Sequence, residues 1–227
     1  VLRTADLDNS DLVALAHDCI ARLKASHLSK YNVHDPDAPA PAPGYVLVVD
    51  QTAGDAAVRA SGGDAATFRA LLALARDENP GRRILIRTHP ETQRGLRPGH
   101  FRPEDLKGAE VSEQPVSPWR LLDGADAVYT LSSQLGFEAI LAGHRPVVLG
   151  QPFYAGWGQS DDRNPPARRG RRLTAEQLFA GAMILAPTWH DRYRDRLCDL
   201  PTAIGTLEAQ VRAWREDHRG WVATGMR

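Results

Sequence analysis

The sequence predicts an α/β domain with a parallel sheet, and three observations carry that prediction. Short apolar runs of strand length, rich in β-branched residues, recur at 45–50, 83–88, 127–131 and 146–149. Segments with apolar residues at helical spacing lie between them, the alternation that joins parallel strands by crossover helices. Each strand-like run leads into a loop, and polar or acidic residues gather in these loops beyond the carboxyl ends of the strands, where such sheets bind ligands. Four or five strands are expected.

Composition bounds the function. The 227 residues suffice for one large or two small domains. Lysine plus arginine equals aspartate plus glutamate at 28 each, so no global basic field marks a nucleic-acid binder. Cys19 and Cys198 are too few for a disulfide framework or a zinc site, and they fit a reducing compartment. No apolar run approaches the ~18 residues that span a bilayer, and no signal-peptide pattern opens the sequence. A soluble, cytoplasmic chain is expected.

Taken in order, the first helix is expected over 11–28, where Leu12, Leu15, Ala16, Cys19, Ile20 and Leu23 keep the helical period behind Asn9 or Ser10 as N-cap. Ser29-Lys-Tyr-Asn32 follows, then a proline-rich tract, 35–43, that must run extended as a linker or surface strap. Residues 45–50 read as a fully buried strand opening into Gln51-Thr-Ala-Gly-Asp55. A helix over 64–77 is stopped by Asn79-Pro-Gly81, and the strand 83–88 ends in His89-Pro-Glu91. Residues 92–104 read as a long loop, 110–112 as a short strand and 118–122 as a short helix. The centre of the chain is a strand–helix–strand unit: 127–131, then Ser132 and Ser133, a helix from Leu135 with Gly143 as C-cap, and 146–149. The loop Gln151-Pro-Phe-Tyr-Ala-Gly-Trp-Gly158 and a basic run (Arg168, Arg169, Arg171, Arg172) lead to a helix over 174–185, opened by a Thr174…Gln177 capping box. A last amphipathic helix covers 201–217.

The strand-end loops hold Asp50, Gln51 and Asp55, then His89 and Glu91, then Ser132, Ser133 and Glu138, without a GxGxxG or P-loop signature. These residues by themselves indicate a Rossmann-like domain with a site for an anionic ligand. Ser132 and Ser133 suit a phosphate at a helix N-terminus, or they cap the helix. The basic run is a solvated loop or a contact for an anionic substrate or partner.

From Leu28-Ser-Lys-Tyr-Asn32 onward the chain resembles the capsule polysaccharide biosynthesis family, the KpsC/LipA type of bacterial β-Kdo transferase. The matching pieces are Val48-Val-Asp-Gln-Thr-Ala-Gly-Asp55, Thr88-His-Pro-Glu91, Ser132-Ser-Gln-Leu-Gly-Phe-Glu-Ala139, Pro152-Phe-Tyr-Ala-Gly-Trp-Gly158 and Asp161-Asp-Arg163. The resemblance implies the C-terminal, nucleotide-sugar-binding half of a two-Rossmann (GT-B) module. Such enzymes move Kdo, an eight-carbon acidic sugar, from CMP-Kdo onto a growing lipid-linked saccharide. It further implies residues 1–44 as linker helix and strap, 45–218 as the Rossmann-like domain, and 219–227 as a tail or the start of a next module. An acceptor-binding domain is expected before the Ser-Lys-Tyr-Asn segment. The resemblance also raises peripheral contact with the inner face of the inner membrane, made through the full-length protein. No metal is required, because the leaving group is a monophosphate paired with donors, and no cofactor is expected besides the CMP-Kdo donor.

The same resemblance assigns roles. His89, followed by Pro90, contacts the CMP phosphate, or it is a histidine hydrogen-bonded at a strand end. Ser132 and Ser133 hold the same phosphate. Glu138 accepts the ribose hydroxyls, or is an exposed helix glutamate. Family transferases retain configuration, which implies two displacements through a glycosyl-enzyme intermediate. Asp55 is the nucleophile, with Gln51 orienting it or the sugar carboxylate. Asp50 is the second candidate, or it only satisfies backbone donors in the turn. Glu91 is the acid/base or a helix N-terminal charge, and Arg163, with Asp161, binds the Kdo carboxylate. Phe153, Tyr154 and Trp157 line the base pocket or face the absent domain, with core packing the alternative for Phe153. Two rival functions share these features: a sugar-nucleotide epimerase preferring uridine, and a non-catalytic nucleotide-sugar binding module.

Overall fold

The computed structural model describes residues 1–112 and 115–223, with side chains described through Asp217. The chain forms two compact units, Pro36–Ala175 and Val1–Asp35 with Glu176–Arg227. The span 45–218 is therefore divided between them.

The Pro36–Ala175 unit is built on a parallel sheet of β1 (Tyr45–Val49), β2 (Arg83–Arg87), β3 (Glu110–Val111), β4 (Ala125–Thr130), β5 (Val147–Val148) and β6 (Asp161–Asp162). Their order is β3-β2-β1-β4-β5-β6, six strands where four or five were expected. The extra strand, β6, is two polar residues long and has no apolar period to announce it. All five residues of β1 are buried, as a central strand covered on both faces requires. Strand order reverses direction between β1 and β4, which opens a crevice beyond their carboxyl ends.

Helix α3 (Ala65–Glu78) covers one face, burying Phe68, Leu71, Leu72 and Ala75 in a cluster with Val46, Val48, Ile84, Ile86 and Leu131. A capping box between Asp64 and Thr67 starts it. On the other face, α5 (Pro118–Asp123) accepts the Tyr45 hydroxyl on Leu121 O at 2.6 Å. Helix α6 (Gln134–Leu141), buried from Leu135 onward, packs on β4 and ends at Ala142, with Gly143 next at φ +97°. Two short helices were not expected: α2 (Ala56–Ala60) and α4 (Pro90–Gln93), the second at the edge of the predicted loop. Five and four residues are too few to show a period.

In the other unit, α1 (Ser10–Ala25) is capped by Asn9, whose Oδ1 accepts the Leu12 N–H at 2.9 Å. It lies along α8 (Leu200–Ala223), joined by an Arg22–Glu208 ion pair at 2.7 Å. The helix predicted over 174–185 is α7 (Ala175–Phe179), which then widens to π-type turns over Ala180–Leu185. Gln177 there donates to the Asp8 carboxylate at 2.7 Å. An unpredicted hairpin of β7 (Trp189–Asp191) and β8 (Arg196–Cys198) completes the unit. Among the described residues no helix is long and apolar enough to cross a membrane.

Candidate functional site

The candidate residues converge on the carboxyl edge of the sheet because each follows directly on a strand. Asp50 and Gln51 leave β1, His89 follows β2 by two residues, and Ser132 follows β4 by two. Gln51 crosses the switch point: the Ser132 N–H donates to Gln51 Oε1 at 3.1 Å, and Gln51 Nε2 donates to Ser132 Oγ at 3.3 Å. The side-chain bonds of Gln51 therefore join the two walls of the crevice, a tie between strands that the sequence did not suggest. Ser133 is the N-cap of α6, its Oγ accepting the Leu135 N–H at 3.2 Å. The capping reading of the serine pair is thus what the structure shows, with the Ser133 N–H also donating to Thr130 Oγ1 at 3.3 Å, while the helix dipole at the same end favours an anion.

His89 caps α4, with Nδ1 accepting the Glu91 N–H at 3.2 Å. In the neutral ring that contact assigns the proton to Nε2, a donor suited to a phosphate oxygen. Its side chain is 15% exposed, sheltered yet within reach of a ligand. Glu91 is paired with Arg97 at 3.3 Å, and the same guanidinium donates to Ala53 O at 3.1 Å. Asp55 caps α2, Oδ1 accepting the Ala57 N–H at 2.7 Å.

Asp50 is 4% exposed, and its carboxylate accepts the Gln51 N–H at 2.8 Å and the His100 N–H at 3.1 Å. Of its two readings, the structure supports the anchor for backbone donors. The predicted loop is thereby pinned over β1, and the Ala53 N–H donates to Pro98 O at 2.8 Å beside it. The fit is close: a Cβ at Gly99 would lie 2.2 Å from Asp50 Oδ2. Burial pushes the Asp50 pKa up to about 6, against the lowering effect of its backbone bonds. The folded protein thus holds this proton to higher pH than the unfolded chain does. The stabilisation is full below the unfolded pKa and is lost as pH rises through about 6. Denaturation of wild type and Asp50→Asn is expected to show wild type losing stability relative to the variant between about pH 4 and about pH 6. A difference that stays constant over that window would show that Asp50 does not titrate there.

Glu138 is 5% exposed, so the exposed-glutamate reading is wrong: α6 is buried on nearly all sides. Arg87, the last residue of β2, is buried as well and was not singled out by the sequence; burial lowers its pKa, and the charge of Glu138 opposes that. A charge closing an otherwise apolar strand was the available signal. Arg163 has its guanidinium shared between Glu78 and Asp161, both at 2.8 Å. Glu78 also accepts the Tyr129 hydroxyl at 2.7 Å, so Arg163 belongs to a network at the end of α3.

The aromatic loop divides by residue. Tyr154 is fully buried, its hydroxyl donating to Ser133 O at 2.6 Å, and Trp157 is buried with its indole N–H on Phe153 O at 2.8 Å. Tyr154 thus braces the start of α6, and Trp157 fastens the aromatic loop to itself. Phe153 is 41% exposed and meets Phe137 edge-on, so it is not a core residue. From the basic run, Arg169 lies over the Trp157 ring and donates to Pro152 O and Ala155 O, which makes it a clamp on this loop. Among the described residues no group of three or more His, Cys, Asp or Glu is arranged to hold a metal ion.

Comparison with known proteins bears on this site as a whole. Residues 8–188 match the family model described as capsule polysaccharide biosynthesis protein. The chain is 37% identical over 198 residues to the capsule polysaccharide modification protein LipA of Neisseria meningitidis serogroup B, covering 81% of this chain and 28% of LipA. It is 35% identical over 187 residues to the lipopolysaccharide-processing protein LpsZ of Rhizobium meliloti, covering 80% of this chain and 42% of LpsZ. It therefore spans less than half the length of either relative. Two solved structures from Thermosulfurimonas dismutans are similar. KpsC, beta Kdo 2,4 transferase, has a TM-score of 0.80 at 33% identity, covering 88% of this chain and 64% of that one. KpsC, beta Kdo 2,7 transferase, has a TM-score of 0.67 at 26% identity, covering 88% and 62%. The Rossmann-like sheet and this extent of similarity agree: the chain belongs to the capsule polysaccharide biosynthesis protein family.

Proposed function

We propose that this chain is the nucleotide-sugar-binding half of a retaining glycosyltransferase that moves Kdo from CMP-Kdo onto a lipid-linked saccharide. The observation that carries the reading is that His89 and the α6 N-terminus with Ser132 and Ser133 follow strands at the same carboxyl edge of the sheet, the edge at which the strand order switches between β1 and β4. The names of the two KpsC neighbours, both Kdo transferases, support the sugar. In this reading His89 Nε2–H and the Ser132–Ser133 turn bind the CMP phosphate, while Pro90 sets the start of α4 behind the histidine. Asp55 Oδ2 attacks the anomeric carbon, and the glycosidic bond pair leaves on the CMP phosphate oxygen. An acceptor hydroxyl then attacks the same carbon, its proton passes to Glu91, and the Asp55 carboxylate is released. Gln51 holds Ser132 in register with β1 during both steps. The acceptor is received by the second Rossmann-like domain of the GT-B pair, with its lipid at the membrane surface.

Calorimetric titration of CMP and UMP into wild type and His89→Ala tests the nucleotide assignment. CMP is expected to bind in preference to UMP, and the substitution to weaken CMP by about 10- to 100-fold, the loss of one hydrogen bond to a charged group. Preference for UMP would overturn the Kdo reading in favour of an epimerase-like site. CMP affinity unchanged by the substitution would remove His89 from the phosphate.

A further inference from the structure

We propose that Arg97 binds the carboxylate of the donor's sugar acid and so holds the anomeric carbon against Asp55. The inference rests on the Kdo-transfer reading above and names the residue that selects an acidic sugar. In Kdo, a keto sugar acid, the carboxylate is bonded directly to the anomeric carbon. Any side chain that attacks this carbon therefore has the sugar's carboxylate beside it, and the cation for that carboxylate must stand beside the nucleophile. Two side chains were expected at the carboxylate, and the structure commits both elsewhere. Arg163 is shared between Glu78 and Asp161 at the end of α3. Gln51 spends its amide on Ser132.

Arg97 meets the requirement. Its Nη2 donates to Ala53 O at 3.1 Å and would lie 3.9 Å from a Cβ on Gly54, the residue before Asp55. Gly54 has φ +80°, a conformation that suits glycine, and its bare backbone leaves the space beneath the guanidinium open. Arg97 Nη1 meets Glu91 Oε2 at 3.3 Å. One guanidinium therefore joins the turn that carries the proposed nucleophile to the proposed acid/base. A guanidinium has more N–H donors than these bonds use, and the side chain is 44% exposed, so a ligand can reach it. The chain around Arg97 is fixed in advance. The Ala53 N–H bonds Pro98 O at 2.8 Å, the His100 N–H bonds Asp50, and the His100 ring stacks on Phe68 with centroids 4.1 Å apart. A cation held in place before the donor arrives is what a planar carboxylate fork needs. It also offsets the repulsion between the sugar's carboxylate and that of Asp55 as they meet at one carbon. Arg59 is the rival cation, since its Nη1 donates to Gly54 O at 2.9 Å on the same turn.

The test is calorimetric titration of CMP, CMP-Kdo and the carboxamide analogue of CMP-Kdo, with thermal unfolding of each protein. The proteins are Asp55→Asn, used so that no adduct forms, and the same chain carrying Arg97→Met, Arg97→Lys or Arg59→Met. With Arg97 in place the acid is expected to bind at least about tenfold more tightly than the amide, the worth of one hydrogen bond between charged groups. Arg97→Met is expected to abolish that preference while leaving CMP affinity within about twofold, because the nucleotide groups stand apart from it. Arg97→Lys, which keeps the charge without the fork, is expected to retain part of the preference, and Arg59→Met all of it. Where Arg97→Met does not fold, Arg97→Gln takes its place with the same expectation. A preference that survives loss of the cation overturns the proposal, even if every ligand binds more weakly, because Arg97 then only holds the loop. A preference removed by Arg59→Met in its place overturns it in favour of Arg59. Equal binding of acid and amide with Arg97 intact overturns the carboxylate contact and leaves the nucleotide site standing on its CMP affinity. No binding of CMP overturns the nucleotide reading and this inference with it.

Discussion

Replacing Asp55 with asparagine is expected to lower Kdo transfer by about a thousandfold or more while leaving CMP affinity within about twofold of wild type. The split follows from position. Asp55 caps α2 at the end of the β1 loop, whereas the groups assigned to the nucleotide follow β2 and β4 or stand on α6. Asparagine is as good an N-cap as aspartate and preserves the bond to the Ala57 N–H, so α2 and the melting temperature should be unaffected. What it removes is the carboxylate able to form a glycosyl ester. Transfer is measured as Kdo release from CMP-Kdo onto a saccharide acceptor, and the adduct by intact mass after mixing the protein with CMP-Kdo. Wild type should gain one Kdo residue, located on Asp55 by peptide mapping, and the variant none. Turnover surviving the substitution, or an adduct on another residue, would remove Asp55 from the nucleophile role. CMP binding without transfer or adduct would favour a non-catalytic binding module.

Gly136→Ala is expected to destabilise the sheet-bearing unit by about 1–3 kcal/mol, the range for forcing an extra methyl into a packed interior. The added Cβ would lie 2.2 Å from the Tyr154 hydroxyl and 2.8 Å from Thr130 Cγ2. Tyr154 has nowhere to retreat, because it is fully buried and its hydroxyl is committed to Ser133 O. The first turn of α6 must shift, and with it the serine pair. Reduced CMP affinity is therefore expected together with a lower melting temperature. Removing the hydroxyl with Tyr154→Phe relieves the closest contact, so the double variant should be less destabilised than the two single changes predict. An unchanged melting temperature for Gly136→Ala would mean that α6 tolerates displacement and that the aromatic loop does not set its position.

Much of this protein was determined locally. The strands at 45–49, 83–87 and 125–130 and the helices α1, α3 and α6 follow from apolar period and capping residues within the segment itself, and the structure places them within a few residues of expectation. The alternation of these elements settles a parallel sheet, and a parallel sheet settles which ends carry the ligand, so His89, Ser132 and Ser133 could be singled out from their strand-end positions. Short elements escaped because α2, α4 and β6 have too few residues for a pattern. Tertiary structure alone decided what depends on distant segments meeting. Strand order brought Gln51 to Ser132, and no spacing along the chain encodes that pair. Burial decided that Asp50 anchors a loop and that Tyr154 braces a helix, because exposure is a property of what packs over a residue. Chain-local physics wrote the edge on which these residues stand; the packing of remote segments decided which of its polar residues are buried and bonded to one another.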